Sequence, residues 1–215
     1  MQVVVATSHG DGRLVVSPAT RPIAGLWLGH GAGGGIEARD LAELAAGLPA
    51  RGISVVRYEQ PWRVACRRVA ARPATLDEAW VETAPRVREL IGDAPLVAGG
   101  RSAGARVACR TAAQVDAAAV VCLAFPLHPP GRPEKSRLEE LLTPTVPVLV
   151  LQGERDTFGS ADTVAREAAG RSGIRVVPVP GADHGMKVLA SSAVPQQEAL
   201  DLVTRAVADF VAAVV

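Results

Sequence analysis

The sequence lacks a dominant charge and a long apolar run. Its 215 residues carry 23 Lys and Arg against 22 Asp and Glu, a formal net charge of +1. This balance gives no electrostatic basis for a nucleic-acid or anionic-membrane partner. The longest apolar run, 117–125, ends at Pro126 and is far shorter than the ~20 residues that a membrane span needs. We therefore expect no membrane segment, and we see no secretory signal at the N-terminus.

Cysteine is scarce as well. Cys66, Cys109 and Cys122 show no CxxC spacing, and three cysteines cannot all pair. The four histidines are dispersed, without HxxxH spacing or a Cys/His cluster, so the sequence predicts no metal site. We expect reduced thiols that pack as small hydrophobic side chains in a cytoplasmic protein.

Short apolar runs alternate with amphipathic stretches along the chain. The runs predict buried strands at 23–28, 53–58, 96–99, 119–124, 146–151 and 174–179. Because these runs are mostly apolar and do not alternate between apolar and polar residues, we expect strands covered on both faces. The alternation predicts an α/β fold with a mostly parallel central sheet, helices on both faces and binding groups beyond the carboxyl ends of the strands. Without a linker or repeat, residues 1–215 are predicted to form a single domain.

The N-terminal segment has a different pattern. Residues 2–7 and 14–17 predict two short strands, and Asp11-Gly12 between them is a strong hairpin-turn signal. We therefore expect an antiparallel hairpin before the parallel part of the sheet.

The loop after residues 96–99 has the clearest chemical motif. It reads Gly100-Arg101-Ser102-Ala103-Gly104, a G-x-S-x-G between a predicted strand and a predicted helix. Such a turn is too tight for side chains on either side of the serine, which explains the two glycines. It would expose the Ser102 hydroxyl as a nucleophile. The N–H of Ala103, at the start of the helix, is then a predicted oxyanion donor.

A serine hydroxyl needs a base, and the base needs an acid to orient it. His184 lies after the run 174–179, where it can reach over the elbow from the carboxyl edge of the sheet. Asp156, in the loop after 146–151, is the predicted acid, and Glu154 is the local alternative. We expect Asp183 to be structural, because the side chains of adjacent residues diverge.

A glycine-rich loop at 29–35 follows the run 23–28. Such a loop lets a backbone N–H approach a substrate closely, so Ala32 is the predicted second oxyanion donor and Gly33 the alternate. Gly31 and Gly33 are expected to contact the substrate. His30 is expected to orient the loop rather than transfer protons.

The same loop permits a dinucleotide-binding hypothesis. Gly29, Gly31 and Gly34 fit G-x-G-x-x-G, and Glu59 ends the next strand. Two points weigh against it. Glu59 lies 30 residues after Gly29, somewhat further than usual, and the hypothesis leaves the loops of Ser102, Asp156 and His184 unexplained.

Together these pieces resemble the α/β-hydrolase superfamily, in which the triad follows the chain order serine, acid, histidine. More narrowly, the chain resembles small hydrolases related to dienelactone hydrolase. The residues that carry this resemblance are GRSxGxR at 100–106, FPLHPPG at 125–131 and the Asp-His-Gly loop at 183–185. The resemblance implies an eight-stranded sheet and a Ser–His–Asp triad without a cofactor. Dienelactone hydrolase itself uses cysteine where this chain has Ser102.

The expected function is that of a serine hydrolase. It would act on a small or short-chain carboxylic ester, lactone or thioester through an acyl-enzyme on Ser102. Arg101 and His128 are substrate-binding candidates, although a structural ion pair is the alternative for Arg101. The stretch between 119–124 and 146–151 is short and rich in proline, so we expect an open site without a large lid domain.

A second class of function fits the same motifs. The resembling group includes a subunit of eukaryotic histone-acetyltransferase complexes that resembles a scaffold, so a catalytically silent binding protein is the alternative. A homodimer is compatible with either function.

Overall fold

Eight strands form one sheet in the computed structural model, which describes residues 1–215. The strands are β1 (Gln2–Thr7), β2 (Gly10–Ser17), β3 (Ala24–Gly29), β4 (Ile53–Glu59), β5 (Leu96–Arg101), β6 (Ala119–Leu123), β7 (Val148–Gly153) and β8 (Ile174–Val179). Their order across the sheet is β1-β2-β4-β3-β5-β6-β7-β8. The strands from β3 to β8 run parallel, whereas β2 pairs antiparallel with both β1 and β4. This is the predicted α/β-hydrolase architecture with its antiparallel N-terminal hairpin.

Helices cover both faces of this sheet. They are α1 (Arg39–Gly47), α2 (Pro61–Val64), α3 (Pro73–Ile91), α4 (Ala103–Thr111), α5 (Leu138–Leu141), α6 (Ala161–Glu167) and α7 (Gln196–Val214). Side chains alternate along each strand and so divide the core in two. On β3, Trp27 packs in the cluster that includes α3 and α4, while Leu26 and Leu28 pack in the cluster of α1 and α7.

Burial follows position in the sheet. Every residue of β3, β6 and β7 is buried, as continuously apolar runs predict. β8 departs from the prediction, because only Val179 among its residues is buried. The reason is that β8 lies at the edge of the sheet, where the helices cover it incompletely.

The turn of the N-terminal hairpin is not at Asp11-Gly12, so this prediction is wrong. The two-residue loop is Ser8-His9, and Asp11 and Gly12 lie inside β2, paired with β1. Packing explains why a glycine stands there. A Cβ at Gly12 would lie 2.6 Å from the ring of Tyr58.

No large extra domain lies over the carboxyl edge of the sheet. The connection from β6 to β7 contains only α5, a single short helix, as the proline-rich sequence predicts. None of the helices combines the length and the apolar character required to cross a lipid bilayer.

Candidate active site

Ser102 stands at a sharp turn between β5 and α4. Its backbone φ of 53° and ψ of −111° lie in a region that residues other than glycine rarely adopt. The glycines beside it make the turn possible. A Cβ at Gly100 would lie 2.6 Å from the carbonyl carbon of Gly104, and a Cβ at Gly104 would collide with the carbonyl of Gly29. The turn therefore holds the hydroxyl above the end of the sheet.

Three loops bring Ser102, His184 and Asp156 together. His184 Nε2 lies 2.9 Å from Ser102 Oγ, and His184 Nδ1 lies 2.8 Å from Asp156 Oδ2. This geometry suits the tautomer in which Nδ1–H donates to the carboxylate and Nε2 accepts the serine proton. The arrangement can therefore draw a proton from the hydroxyl without a movement of the loops.

Asp156 is held from both sides in a buried position. Its Oδ1 accepts a hydrogen bond from the N–H of Phe158 at 2.8 Å. Its Oδ2, which faces His184, also accepts one from Gln152 Nε2 at 2.9 Å. The amide nitrogen of Gln152 lies 2.7 Å from the carbonyl oxygen of Gly159 as well, so it ties the acid to its own loop.

The alternative acid does not reach the histidine. Glu154 is exposed, and its carboxylate accepts a hydrogen bond from the N–H of Gly181. Asp183 has a structural position, because its Oδ1 accepts hydrogen bonds from the N–H groups of Gly185 and Lys187. Of the nearby acids, Asp156 is therefore the one placed to orient the imidazole.

An aromatic ring covers one face of the imidazole. The rings of Phe158 and His184 are stacked, with centroids 4.1 Å apart and planes inclined by 27°. The carbonyl of Phe158 accepts a hydrogen bond from the N–H of His128, which connects this loop to the proline-rich segment. Stacking of this kind limits rotation of the histidine ring.

Arg101 takes the ion-pair role that the sequence left open. Its Nε lies 3.2 Å from Asp40 Oδ2 on α1, and its Nη2 donates to the carbonyl oxygen of His184 at 2.5 Å. Burial raises the pKa of Asp40, and the charge of Arg101 opposes that shift. The guanidinium therefore links α1, the elbow and the histidine loop.

The glycine loop after β3 is fixed by His30. The backbone N–H of Gln60 donates to His30 Nε2 at 3.2 Å, so the proton on Nδ1 is available to donate to the carbonyl oxygen of Gly31 at 2.8 Å. Burial lowers the pKa of His30, which favours this neutral form. The N–H of Ala103, at the start of α4, has no partner within the helix, and the N–H of Ala32 donates to no backbone or side-chain acceptor.

An open cleft of about 650 Å³ surrounds the nucleophile. Its lining comprises Ala32, Gly33, Gly34, Glu37, Ala38, Arg39, Arg101, Ser102, Phe158, His184 and Gly185. Two of the predicted substrate-binding residues, Gly33 and Arg101, are therefore in the cleft.

The other two substrate-binding candidates lie outside this lining. His128 is half-buried, its Nδ1 lies 3.0 Å from the carbonyl oxygen of Pro129, and its backbone N–H donates to the carbonyl oxygen of Phe158. Gly31 is a buried residue of the glycine loop, where a Cβ would lie 3.3 Å from the Cβ of Ser102. His9 is exposed in the hairpin turn and pairs with Glu78 at 2.6 Å.

The geometry does not favour the dinucleotide hypothesis. The carboxylate of Glu59, which would bind a ribose, instead forms an ion pair with Arg13. No group of three or more His, Cys, Asp or Glu side chains is arranged to hold a metal ion.

Sequence reasoning missed three residues that support the triad. They are Gln152, Phe158 and Asp40. Phe158 and Gln152 each lie within four residues of Asp156, so the local sequence offered a signal. Asp40 offered none, because its contact with Arg101 joins distant parts of the chain.

Comparisons with known proteins agree with this architecture. The sequence profile described as Alpha/beta hydrolase domain matches residues 22–212. An alpha-beta serine hydrolase homologue from Coxiella burnetii superposes with a TM-score of 0.76 at 16% identity, over 96% of each chain. Est1E from Butyrivibrio proteoclasticus gives 0.76 at 15% identity, over 99% of this chain and 98% of its own. A serine hydrolase without a lid, XC6422 from Xanthomonas campestris, gives 0.70 at 18% identity, over 99% and 93%.

The sheet order and the serine turn define a protein of the α/β-hydrolase class. The profile match covers most of the sequence, so the chain belongs to the family of alpha/beta hydrolase domains.

Proposed function

We propose that this protein is a serine hydrolase that cleaves small or short-chain carboxylic esters through an acyl-enzyme on Ser102. The observation that carries the proposal is the unbroken chain of contacts from Asp156 through His184 to Ser102, at 2.8 and 2.9 Å. The likeness to serine hydrolases and esterases supports the same reaction class.

Acylation begins when Ser102 Oγ attacks the ester carbonyl carbon. His184 Nε2 takes the hydroxyl proton, and Asp156 stabilises the imidazolium that forms. The carbonyl oxygen becomes an oxyanion, which the N–H groups of Ala103 and Ala32 bind. Each such donor is worth roughly 3 kcal/mol of barrier.

Collapse of this intermediate breaks the bond between the carbonyl carbon and the alcohol oxygen. His184 Nε2–H donates its proton to the leaving alcohol, and the acyl group stays on Ser102 Oγ. A water molecule then attacks the acyl carbon while His184 takes its proton. The second collapse releases a carboxylic acid and restores the serine hydroxyl.

The narrower likeness to dienelactone-hydrolase-related proteins is part of this proposal. Two arginines of the GRSxGxR segment have structural partners, Arg101 with Asp40 and Arg106 with Glu140. These ion pairs support a structural role for the motif, which is to stabilise the turn that holds Ser102. The likeness to dienelactone-hydrolase-related proteins extends the proposed substrates to lactones and thioesters. Their acyl carbons react by the same steps.

A fluorophosphonate probe tests the proposal directly, because it labels only an activated serine. We expect labelling of the wild type, loss of labelling in Ser102→Ala, and strong loss in His184→Ala. Ser136→Ala is a matched control, since this serine is exposed and its hydroxyl accepts a hydrogen bond from the N–H of Leu138 and none from the triad, and it should be labelled like the wild type. A folded wild type without labelling would instead support the silent scaffold.

A further inference from the structure

The geometry of the triad separates the two ends of an ester. Besides Ser102 Oγ, the tetrahedral carbon carries the oxyanion, the leaving oxygen and the acyl substituent. His184 must protonate the leaving oxygen, so the alcohol lies on the His184 side. That side is the open cleft, which His184, Phe158 and Gly185 line. The oxyanion faces the N–H groups of Ala32 and Ala103, and the acyl substituent takes the remaining direction, away from His184.

A small apolar cavity borders both predicted oxyanion donors and shares Ala32 with the open cleft. Both Ala32 and Ala103 line it, and Trp62, Leu76, Trp80 and Val107 form most of its apolar wall. The centre of a water-sized sphere can move through only about 10 Å³ of it. Such a space admits only a short alkyl group. This cavity is therefore much tighter than the open cleft, which Ala32 also lines.

A larger groove borders this cavity. Trp62 and Gln60 line the cavity and also line a groove of about 380 Å³ on the same measure, next to the N-terminal hairpin. Trp62 is only 5% exposed. Its ring lies 5.5 Å from that of His30, which holds the glycine loop in place.

We propose that the small cavity receives the acyl group and that Trp62 sets its limit at acetyl or propionyl. This inference rests on the proposed ester hydrolysis and narrows its substrate class to short acyl esters of larger alcohols. The restriction falls on the acyl side alone, because the cleft on the alcohol side is open.

Kinetics on p-nitrophenyl esters from acetate to hexanoate test this assignment. In the wild type, kcat/KM should fall steeply beyond propionate. In Trp62→Ala the cavity joins the groove, and the hexanoate-to-acetate ratio of kcat/KM should rise about tenfold or more. Trp62→Leu should give an intermediate ratio and guards against a folding defect. The ratio is the readout because a general disturbance of His30 would lower kcat/KM for both esters by a similar factor and leave their ratio unchanged.

Val64→Ala is the matched control. Val64 is on the same short helix, α2, but lines only the groove, so its ratio should stay at the wild-type value. A comparison of p-nitrophenyl acetate with 1-naphthyl acetate tests the alcohol side. The ratio of kcat/KM for these two esters should be the same in Trp62→Ala as in the wild type.

Alkylboronic acids provide a readout that needs no turnover. Ser102 Oγ bonds to boron, its proton passes to His184, and the alkyl group takes the place of the acyl chain. Calorimetry should show methylboronic acid binding to the wild type more tightly than pentylboronic acid, with this preference reversed in Trp62→Ala.

A wild type that hydrolyses acetate and hexanoate equally would overturn the acyl-pocket assignment while the proposed function stands. An unchanged ratio in Trp62→Ala would have the same meaning. If the wild type showed neither hydrolysis nor boronate binding, both proposals would fall.

Discussion

Ser102 shows how the neighbours of one residue produce a reactive geometry. Its φ of 53° is unfavourable for serine, and such strain persists only where the surroundings enforce it. Two features enforce it here. The backbone N–H of Ser102 donates to the carbonyl oxygen of Leu123, and Gly100 is in close contact with Gly104. The strained turn aims both the hydroxyl and the N-terminus of α4 at one point.

The two acids of the loop after β7 can be separated at the residue scale. Asp156→Asn should lower kcat by roughly 10³–10⁴-fold, because the amide no longer favours the proton on His184 Nδ1. Glu154→Gln should retain nearly wild-type kcat, since its carboxylate contacts only the N–H of Gly181 nearby and an amide oxygen can replace it. Steady-state hydrolysis of p-nitrophenyl acetate by both variants measures the difference.

Equal losses in the two variants would contradict the assignment of Asp156 as the orienting acid. The thermal melting of Asp156→Asn is a necessary companion measurement, because the buried carboxylate also accepts hydrogen bonds from Phe158 and Gln152.

At the scale of elements, one ion-pair cluster joins the three helices α3, α4 and α5. Arg106 and Arg110 on α4 both donate to Glu140 on α5, and Arg110 also pairs with Asp77 on α3. Burial raises the pKa of Glu140, but its hydrogen bonds and ion pairs with the two arginines outweigh this and leave the pKa lowered. The cluster therefore stabilises the helix that begins at Ser102.

We expect Glu140→Gln to destabilise the protein by about 1–2 kcal/mol at pH 7. Because the folded-state pKa of Glu140 is lowered, its contribution is present above the ordinary value of 4.5 and is lost as the pH falls through the folded value. Urea unfolding at several pH values should show that the difference in the free energy of unfolding between wild type and variant becomes smaller as the pH falls. Glu139→Gln, at the exposed neighbouring position, is the control and should show no such gap.

A pH-independent gap in Glu140→Gln would show that the side chain acts through packing instead of charge.

The elements differ in how far their sequence determines them. The elbow and the buried strands could be predicted because their signals are local: glycines two positions on either side of a serine, and continuous apolar runs. The predicted position of the hairpin turn is wrong because Gly12 does not form a turn. It leaves room for the ring of Tyr58, which comes from another strand. The partnership of Arg101 with Asp40 depends on how β5 and α1 meet in space, which spacing along the chain does not encode.

At the scale of the whole molecule, the parallel sheet is what assembles the site. β5, β6, β7 and β8 are neighbours in sheet order, so the loops at their carboxyl ends meet at one edge. This edge receives Ser102 after β5, Asp156 after β7 and His184 after β8. The opposite side of the site comes from the loop after β3, which lies next to β5.

The same edge is uncovered, and this has a kinetic consequence. Ser102 and His184 are both partly exposed to the cleft, and α5, in the connection from β6 to β7, has only 4 residues. An enzyme with a closing lid is expected to become faster when a lipid surface opens the lid. Because no such segment covers this site, the rate should follow a simple saturation curve on triacetin or tripropionin. Assays that cross the solubility limit of tripropionin should show no jump in rate, and adding detergent micelles should not activate the enzyme. A sharp increase at the solubility limit would require a covering movement that the short connection between β6 and β7 does not provide.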